Sequence, residues 1–430
     1  MTSRRTFVRG LALSSAALPM FREDAFARLF KAHAVAGNRG PLEVAEDELY
    51  WSEIQRAFDS ERTMINLNNG GISPTPTHVL EQMIRDLRFT NELPVEHMWR
   101  VLQPRMEMTR RELAKEFGCD TEEMAIVRNA SEANEIMIYG IDLKRGDEVI
   151  VSNQNYGRMI TTWQQRADRE GIVLKTISFK VPPPSDQYIV DQFKAAITPR
   201  TRVIEVPHIT NLTGQIMPVR ELSRLARQNG IELFVDGAHA FGHWPMKRDD
   251  LEVDYYGTSL HKWLHAPIGS GFLYVRREKI PQLWPLMGAA KSQRVDIRKY
   301  EEMGTHPQAN FNAVSVALAF SQGMGFDRKI ARLRYLRDRW AKRLLAESDR
   351  VKILTQLGPD KSGAICLVSV DGLDPAKLSA WLMDKYKIVN VAIVHPEFSG
   401  LRITPNVYTS LNDVDTFGDA MLAAVKRGIA

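Results

Sequence analysis

Cysteine is almost missing from this chain: Cys119 and Cys366 are the two thiols among 430 residues. Two thiols cannot build a disulfide framework or a four-thiolate zinc site. Long apolar runs are missing too. Past the first thirty residues no stretch approaches the roughly 18 residues that a bilayer-spanning helix needs, so no stable membrane insertion is expected. An excess of one charge is also lacking. The 57 basic and 52 acidic residues leave a formal +5, too mild at this size to call for nucleic acid. No repeat or low-complexity tract interrupts the chain. With 44% hydrophobic and 25% charged residues, disordered, collagenous and coiled-coil architectures are excluded. What remains is an ordinary globular chain, long enough for two or three domains of about 150 residues.

Its beginning reads as an address. Ser3-Arg4-Arg5-Thr6-Phe7-Val8-Arg9 precedes a small and apolar run from Gly10 to Phe21. An arginine pair before a short apolar region reads as a bacterial export signal of the twin-arginine type, implying a periplasmic or otherwise exported protein. Residues 1–36 are assigned to signal and leader. Ala25-Phe26-Ala27 and Ala34-Val35-Ala36 are both candidate cleavage sites. Loss of residues 1–27 removes Arg4, Arg5, Arg9 and Arg22 with Glu23 and Asp24, which leaves a small basic excess on the mature chain.

Residues 37–74 form an N-terminal arm. From 75 to 322 short apolar runs alternate with amphipathic stretches. Met124–Val127, Glu148–Ser152, Ile172–Ser178, Thr201–Pro207, Ile231–Val235 and Gly271–Val275 read as strands buried on both faces. A helix between two of them, Arg220–Gln228, is stopped by Asn229-Gly230. This alternation predicts an α/β fold, a mostly parallel sheet with ligands at the carboxyl ends of its strands. The pattern changes at Gly323-Met324-Gly325. A long helix from Asp327 to about Ala346 follows, with Ile330, Leu333, Leu336, Trp340 and Leu344 on one stripe. Its opposite face carries Arg328, Lys329, Arg332, Arg334, Arg337, Arg339, Lys342 and Arg343, expected to be a solvated face. Strands over 364–370 and 389–393 and a closing helix from Leu411 complete a smaller α+β domain, 323–430.

The chemistry-bearing residues sit at strand ends. Ile231–Val235 runs into Asp236, and a carboxylate there is costly unless something positive meets it. Thr258-Ser259-Leu260-His261-Lys262-Trp263 follows, and a lysine between His and Trp is suited to desolvation and to action as an amine nucleophile. Asn129-Ala130-Ser131 opens a helix after a strand, where free N–H groups bind phosphate.

Taken together, these ordered motifs resemble the class V, fold-type I family of pyridoxal phosphate enzymes. That family includes cysteine desulfurases, isopenicillin-N-epimerase-like proteins and various aminotransferases. The resemblance spans about residues 60–425 and implies a large domain with a seven-stranded, mostly parallel sheet. It implies that Lys262 binds the cofactor aldehyde covalently and that Asp236 partners the pyridine nitrogen. Such an ion pair is worth about 4 kcal/mol at ~4 Å and an effective dielectric near 20. It further implies phosphate contacts from Ala130, Ser131, Ser259 and His261, and ring stacking by Tyr156, in Asn153-Gln154-Asn155-Tyr156. Asn211 and His239 fall near the cofactor's phenolic oxygen. Thr305, after Gly304, resembles the segment that reaches the partner subunit's phosphate, which implies a homodimer with shared sites. Arg402, in Leu401-Arg402-Ile403-Thr404, matches the clamp on the substrate carboxylate. Twin-arginine export, which carries folded proteins, suits an enzyme that must load its cofactor first.

His239/His243 and His261/His265 have the i, i+4 spacing of metal ligands, but no further ligand cluster completes a site, and no metal is expected. Desulfurases carry a nucleophilic cysteine on a mobile loop of the C-terminal region. Here Cys366 lies in an apolar strand pattern and Cys119 follows a helix, so both read as structural thiols and sulfur transfer is disfavoured. The expected function is chemistry at the amino group or α-carbon of an amino acid or amino-acid-derived metabolite. Aminotransferase-like chemistry is favoured, with epimerisation as the alternative. A binding protein that keeps the cofactor without catalysis is opposed by the intact Lys262, Asp236 and Arg402 set.

Overall fold

The computed structural model describes residues 25–429. The arginine pair and the run from Gly10 to Phe21 lie outside the described residues. Both cleavage triplets lie inside them, in helix Ala25–Ala36, which buries Ala25, Leu29, Ala32 and Ala36. This helix packs on helices Glu48–Gln55 and Ala309–Met324. The His33 Nε2 lies 2.6 Å from the Gly323 carbonyl oxygen.

After a short strand, Ile65–Asn66 (β1), seven strands build the central sheet. They are Met124–Val127 (β2), Glu148–Ser152 (β3), Val173–Ile177 (β4), Thr201–Pro207 (β5), Glu232–Asp236 (β6), Tyr255–Ser259 (β7) and Gly271–Val275 (β8). Their order is β2-β8-β7-β6-β5-β3-β4. Neighbours from β7 to β4 are parallel, while β8 runs antiparallel to both β7 and β2. Helices between parallel strands bury both sheet faces, so the strands are runs of Val, Ile and Leu. All six strands expected from the sequence form, each within one residue.

One strand expectation is corrected, and one of the seven strands escapes the apolar pattern. β4 is not buried on both faces: it pairs with β3 alone at the sheet edge, and Val173 is 42% exposed. An edge strand has a neighbour on one side only. The seventh strand, β7, has no apolar run to announce it, because its sequence is Tyr-Tyr-Gly-Thr-Ser. Gly257 at its centre has a packing reason. A Cβ there would lie 2.7 Å from the Ala133 Cβ and 2.9 Å from Asn134 Oδ1, so helix Ala130–Gly140 reaches this strand only over glycine.

Helix Phe326–Glu347 leads into the smaller domain. Its strands are Val351–Ile353 (β9), Cys366–Val370 (β10), Ile388–Val389 (β11), Val391–Val394 (β12) and Ser399–Ile403 (β13), and helices Pro375–Tyr386 and Leu411–Arg427 cover them. An antiparallel sheet runs β12-β13-β10-β9, while β11 pairs in parallel with β1 of the N-terminal arm. Leu336, Trp340 and Leu344 form one core with Val351, Leu401 and Phe417. Each such side chain contributes on the order of 1.5–3 kcal/mol on burial.

The opposite face of this helix is the solvated stripe expected only in part: Arg339 and Lys342 are exposed, but three of its eight basic residues are not. Lys329 and Arg332 are fully buried and Arg337 nearly so. Arg332 donates to the Ala45 carbonyl and pairs with Glu48. Arg337 donates to the carbonyls of Leu357 and Gly363. Lys329 donates to the Trp263 carbonyl. The arm and the loops fold over the helix, and long basic side chains satisfy their carbonyls while burying their own stems.

Candidate active site

The carboxyl ends of β3, β5, β6 and β7 open along one edge of the sheet, beside the helix that follows β2. The ligand-facing residues of the large domain lie at the last positions of these strands or in the turns that follow them. After β2, Asn129 caps helix Ala130–Gly140 by accepting the Glu132 N–H at 2.9 Å. Ala130 N–H donates to Ser259 Oγ, also at 2.9 Å. Two halves of the expected phosphate cup, from the β2 and β7 turns, therefore touch. Ala130 thus spends its N–H on Ser259, and Ser131 is the next residue of the helix N-terminus, where N–H groups left without intrahelical partners can meet an anion. Burial pushes the neighbouring His261 imidazole down to about 4.

Asp236 ends β6 and is buried, its Oδ1 accepting the Ala238 N–H at 3.0 Å. Burial raises its carboxyl above the usual range, against the opposing pulls of that N–H and of Lys262. A buried carboxylate in this state lacks a cation directly against it. The Lys262 Nζ lies 3.3 Å from His239 Nε2. Burial lowers its pKa to about 8, with Asp236 opposing and Arg402 adding to the shift. Arg402 reaches in from β13 and donates to the Asn211 carbonyl and to Asn68 Oδ1, each at 2.9 Å. Burial lowers it to about 10.

The structure brings Ala130, Ser131, Asn211, Asp236, His239, Ser259, His261, Lys262 and Arg402 to this edge. Tyr156 is 40% exposed in the turn after β3, at the start of helix Gly157–Glu170. Thr305 is set apart, exposed on the loop before helix Ala309–Met324.

Whether pyridoxal phosphate fits can be read from unsatisfied atoms. Asn211 Oδ1, His239 Nδ1, His261 Nδ1 and Arg402 Nε are buried without a hydrogen-bond partner. Each such group costs on the order of 1–3 kcal/mol unless a ligand meets it. Donors at one end, from the Ala130–Gly140 helix, Ser259 and His261, match a phosphate. The Asp236 carboxylate at the other matches a protonated ring nitrogen, and a low-pKa amine between them matches an aldehyde. The residues fit the cofactor.

Sequence reasoning missed two parts of this site. Asn68-Asn69-Gly70-Gly71 lies against it. Asn68 holds Arg402, Gly70 N–H donates to Thr404 Oγ1 at 2.9 Å, and a Cβ on Gly70 would sit 3.7 Å from His239 Cε1. In the sequence this run reads as a turn. Glu205 is the second. It is buried within β5, accepts from Trp163 Nε1, leaves Oε1 unpartnered, and is pushed up to about 8 by burial with Asp236 adding to the shift. The cost argument that picks out Asp236 applies equally to an acid inside Thr201–Pro207.

Other candidates do not join the site. Cys366 is buried in β10 and Cys119 lies just past helix Gln103–Phe117. Both are free thiols that burial pushes up to about 12. His243 spends its ring on the His239 and Ala364 backbones, and His265 spends its ring on Asn406. No group of three His, Cys, Asp or Glu side chains among the described residues is arranged to hold a metal. Among the same residues no helix is long and apolar enough to cross a membrane.

A seven-stranded sheet of this order with a lysine and an aspartate at its carboxyl edge defines a fold-type I pyridoxal phosphate protein. The aminotransferase class-V family profile matches residues 65–395, and the chain belongs to that family. It is 29% identical over 388 residues to isopenicillin N epimerase of Streptomyces clavuligerus, covering 86% of this chain and 97% of that one. To a probable cysteine desulfurase of Halobacterium salinarum it is also 29% identical, over 81% of this chain and 86% of the other. Among solved structures, apo cysteine desulfurase from Thermococcus onnurineus NA1 superimposes with a TM-score of 0.75 at 22% identity, covering 87% and 98% of the two chains. A C-DES mutant with glycine covalently linked to its PLP cofactor gives 0.74 at 20% identity, covering 85% and 98%.

Proposed function

We propose that this protein is an exported pyridoxal phosphate enzyme that acts at the amino-bearing carbon of an amino acid or amino-acid-derived metabolite, with amino transfer as its reaction. The observation that carries this reading is the convergence of Lys262, Asp236 and Arg402, from three separate elements, on one set of unsatisfied buried atoms. When bound, pyridoxal phosphate supplies the aldehyde and the electron-withdrawing ring that take up charge from the substrate carbon. Ser131, Ser259 and His261 hold its phosphate, and Tyr156 covers its ring. Asp236 holds a proton on the ring nitrogen, and that cation in turn restores the buried carboxylate. Arg402 keeps its Nε and its remaining N–H groups for the substrate carboxylate, while Asn68 and Asn211 fix the guanidinium plane. Lys262, whose pKa burial lowers to about 8 and so toward the range where the free amine is populated, removes and returns the proton on the substrate's α-carbon.

Epimerisation is the second reading, favoured by the likeness to isopenicillin N epimerase over nearly the whole chain. The two readings part on where the proton is returned. Incubation of candidate amino acids in deuterium oxide, with and without an oxo-acid acceptor, separates them. Amino transfer requires the acceptor, whereas α-exchange with inversion and no transfer sinks it and favours epimerisation. Neither isotope uptake nor transfer across a broad substrate panel would refute both.

The assembly we propose is a homodimer with shared sites. It is supported by exposed Thr305 and by the exposed Leu80, Ile84 and Leu87 along one face of helix Thr77–Glu92. Export rests on the arginine pair, Arg4-Arg5. Light scattering and cell fractionation test these two statements.

A further inference from the structure

His239 has an expected place beside the cofactor, but its observed partner in the chain is Lys262. Lys262 Nζ and His239 Nε2 lie 3.3 Å apart. The imidazole is buried, its backbone carbonyl accepts from His243 Nδ1 at 2.9 Å, and a Cβ built on Gly70 would lie 3.7 Å from its Cε1. His243 is in turn fixed, because it accepts the Ala364 N–H at 2.9 Å and stacks on Trp263 at 3.8 Å. A chain of contacts thus runs from the residue after Lys262 back to the ring that meets its amine.

The groups facing His239 decide its state. Lys262, Arg402, His243 and His261 surround it, and together with burial they hold it well below the usual imidazole range. A neutral imidazole carries one acceptor and one N–H. With Nε2 facing the lysine amine, Nε2 is the acceptor and the N–H is at Nδ1, the atom left without a partner. Asp236 attracts the same amine from another direction, as a charge and not through a hydrogen bond.

We propose that His239 is a positioning residue for Lys262: it accepts one amine hydrogen and so turns the nitrogen lone pair toward the ligand. This rests on Lys262 being the lysine that binds the cofactor aldehyde. In that step the neutral amine forms a C–N bond at Nζ, and its two N–H hydrogens leave with the aldehyde oxygen as water. The lone pair must point at the aldehyde carbon, and a primary amine turning freely about its last bond meets this requirement only part of the time. His239 does not set the charge of Lys262, since burial, Asp236 and Arg402 account for its shift. Position and charge are therefore separable by experiment.

The test uses the full chain freed of cofactor. Covalent capture of pyridoxal phosphate at Lys262 is followed by absorbance and by borohydride trapping with peptide mass analysis, from pH 6.5 to 9.5. Non-covalent affinity is measured with pyridoxine phosphate, which lacks the aldehyde. In H239Q the amide oxygen replaces Nε2 as acceptor, and capture should stay within about three-fold of wild type. In H239L and H239N, which lack an acceptor or place it short, capture should fall by at least about ten-fold and by clearly more than pyridoxine phosphate affinity falls, while the pH midpoint near 8 is kept. Either acceptor-less variant capturing at the wild-type rate would overturn the proposal, as would H239Q falling with them. A loss of pyridoxine phosphate binding that tracks the loss of capture would also overturn it, because His239 would then be a cofactor contact alone. Wild type that fails to trap cofactor at Lys262 would instead refute the enzymatic reading itself.

Discussion

Replacing Glu205 by Gln should change how stability depends on pH. Glu205 sits in the middle of the sheet, its carboxyl accepting from Trp163 alone among the described residues, and burial pushes it up to about 8. An unfolded chain releases this proton near pH 4.3, so between that value and about 8 the folded protein holds one proton more. Stability from this group is complete below the unfolded value and falls as pH rises, by about 1.4 kcal/mol per pH unit, until it is gone above about 8. The span amounts to about 5 kcal/mol. Glutamine mimics the protonated acid, keeps an oxygen for Trp163 Nε1, and does not titrate. Denaturation of the cofactor-free protein at pH 5 and pH 8 should therefore show E205Q gaining on wild type as pH rises. In a D236N background the gain should shrink, because the Asp236 charge contributes to the shift. Parallel behaviour of E205Q and wild type at both pH values would show that Glu205 ionises freely, and would refute the reasoning.

Arg402→Lys should weaken substrate binding by about 2 kcal/mol, roughly thirty-fold, while cofactor capture stays intact, because an ammonium cannot serve Asn68, the Asn211 carbonyl and a carboxylate fork together. Competition binding of a substrate carboxylate, read as Kd, checks it. N-terminal sequencing of the exported protein should find the chain beginning at or before Arg28. Cutting after Ala36 would remove buried Leu29 and Ala32, at a cost on the order of 2–4 kcal/mol. A protein that begins at Gly37 with undiminished melting temperature contradicts this.

The sheet was legible where burial on both faces writes itself as Val and Ile, as in Glu148–Ser152 and Thr201–Pro207. It was illegible in β7, where a glycine needed for helix contact and two tyrosines replace the apolar run. Much of the site was legible because carboxyl ends of parallel strands collect ligands and Asp236 and Lys262 stand at two of them. Asn68 was not, since nothing local distinguishes a turn that closes on Arg402 from any other turn. The burial of Lys329 and Arg332 on helix Phe326–Glu347 was hidden for the same reason: their carbonyl partners, Trp263 and Ala45, are far away in sequence.

The contact between Asn68 and Arg402 spans 334 residues, as does that between Gly70 and Thr404. Contacts of such separation are among the last a chain can make, because both ends must exist and the loop between them must already be organised. A ribosome-bound chain can complete the turns after β2, β6 and β7 well before Arg402 has been synthesised. The residues of the cofactor end are thus synthesised well before the carboxylate clamp, which closes only at chain completion.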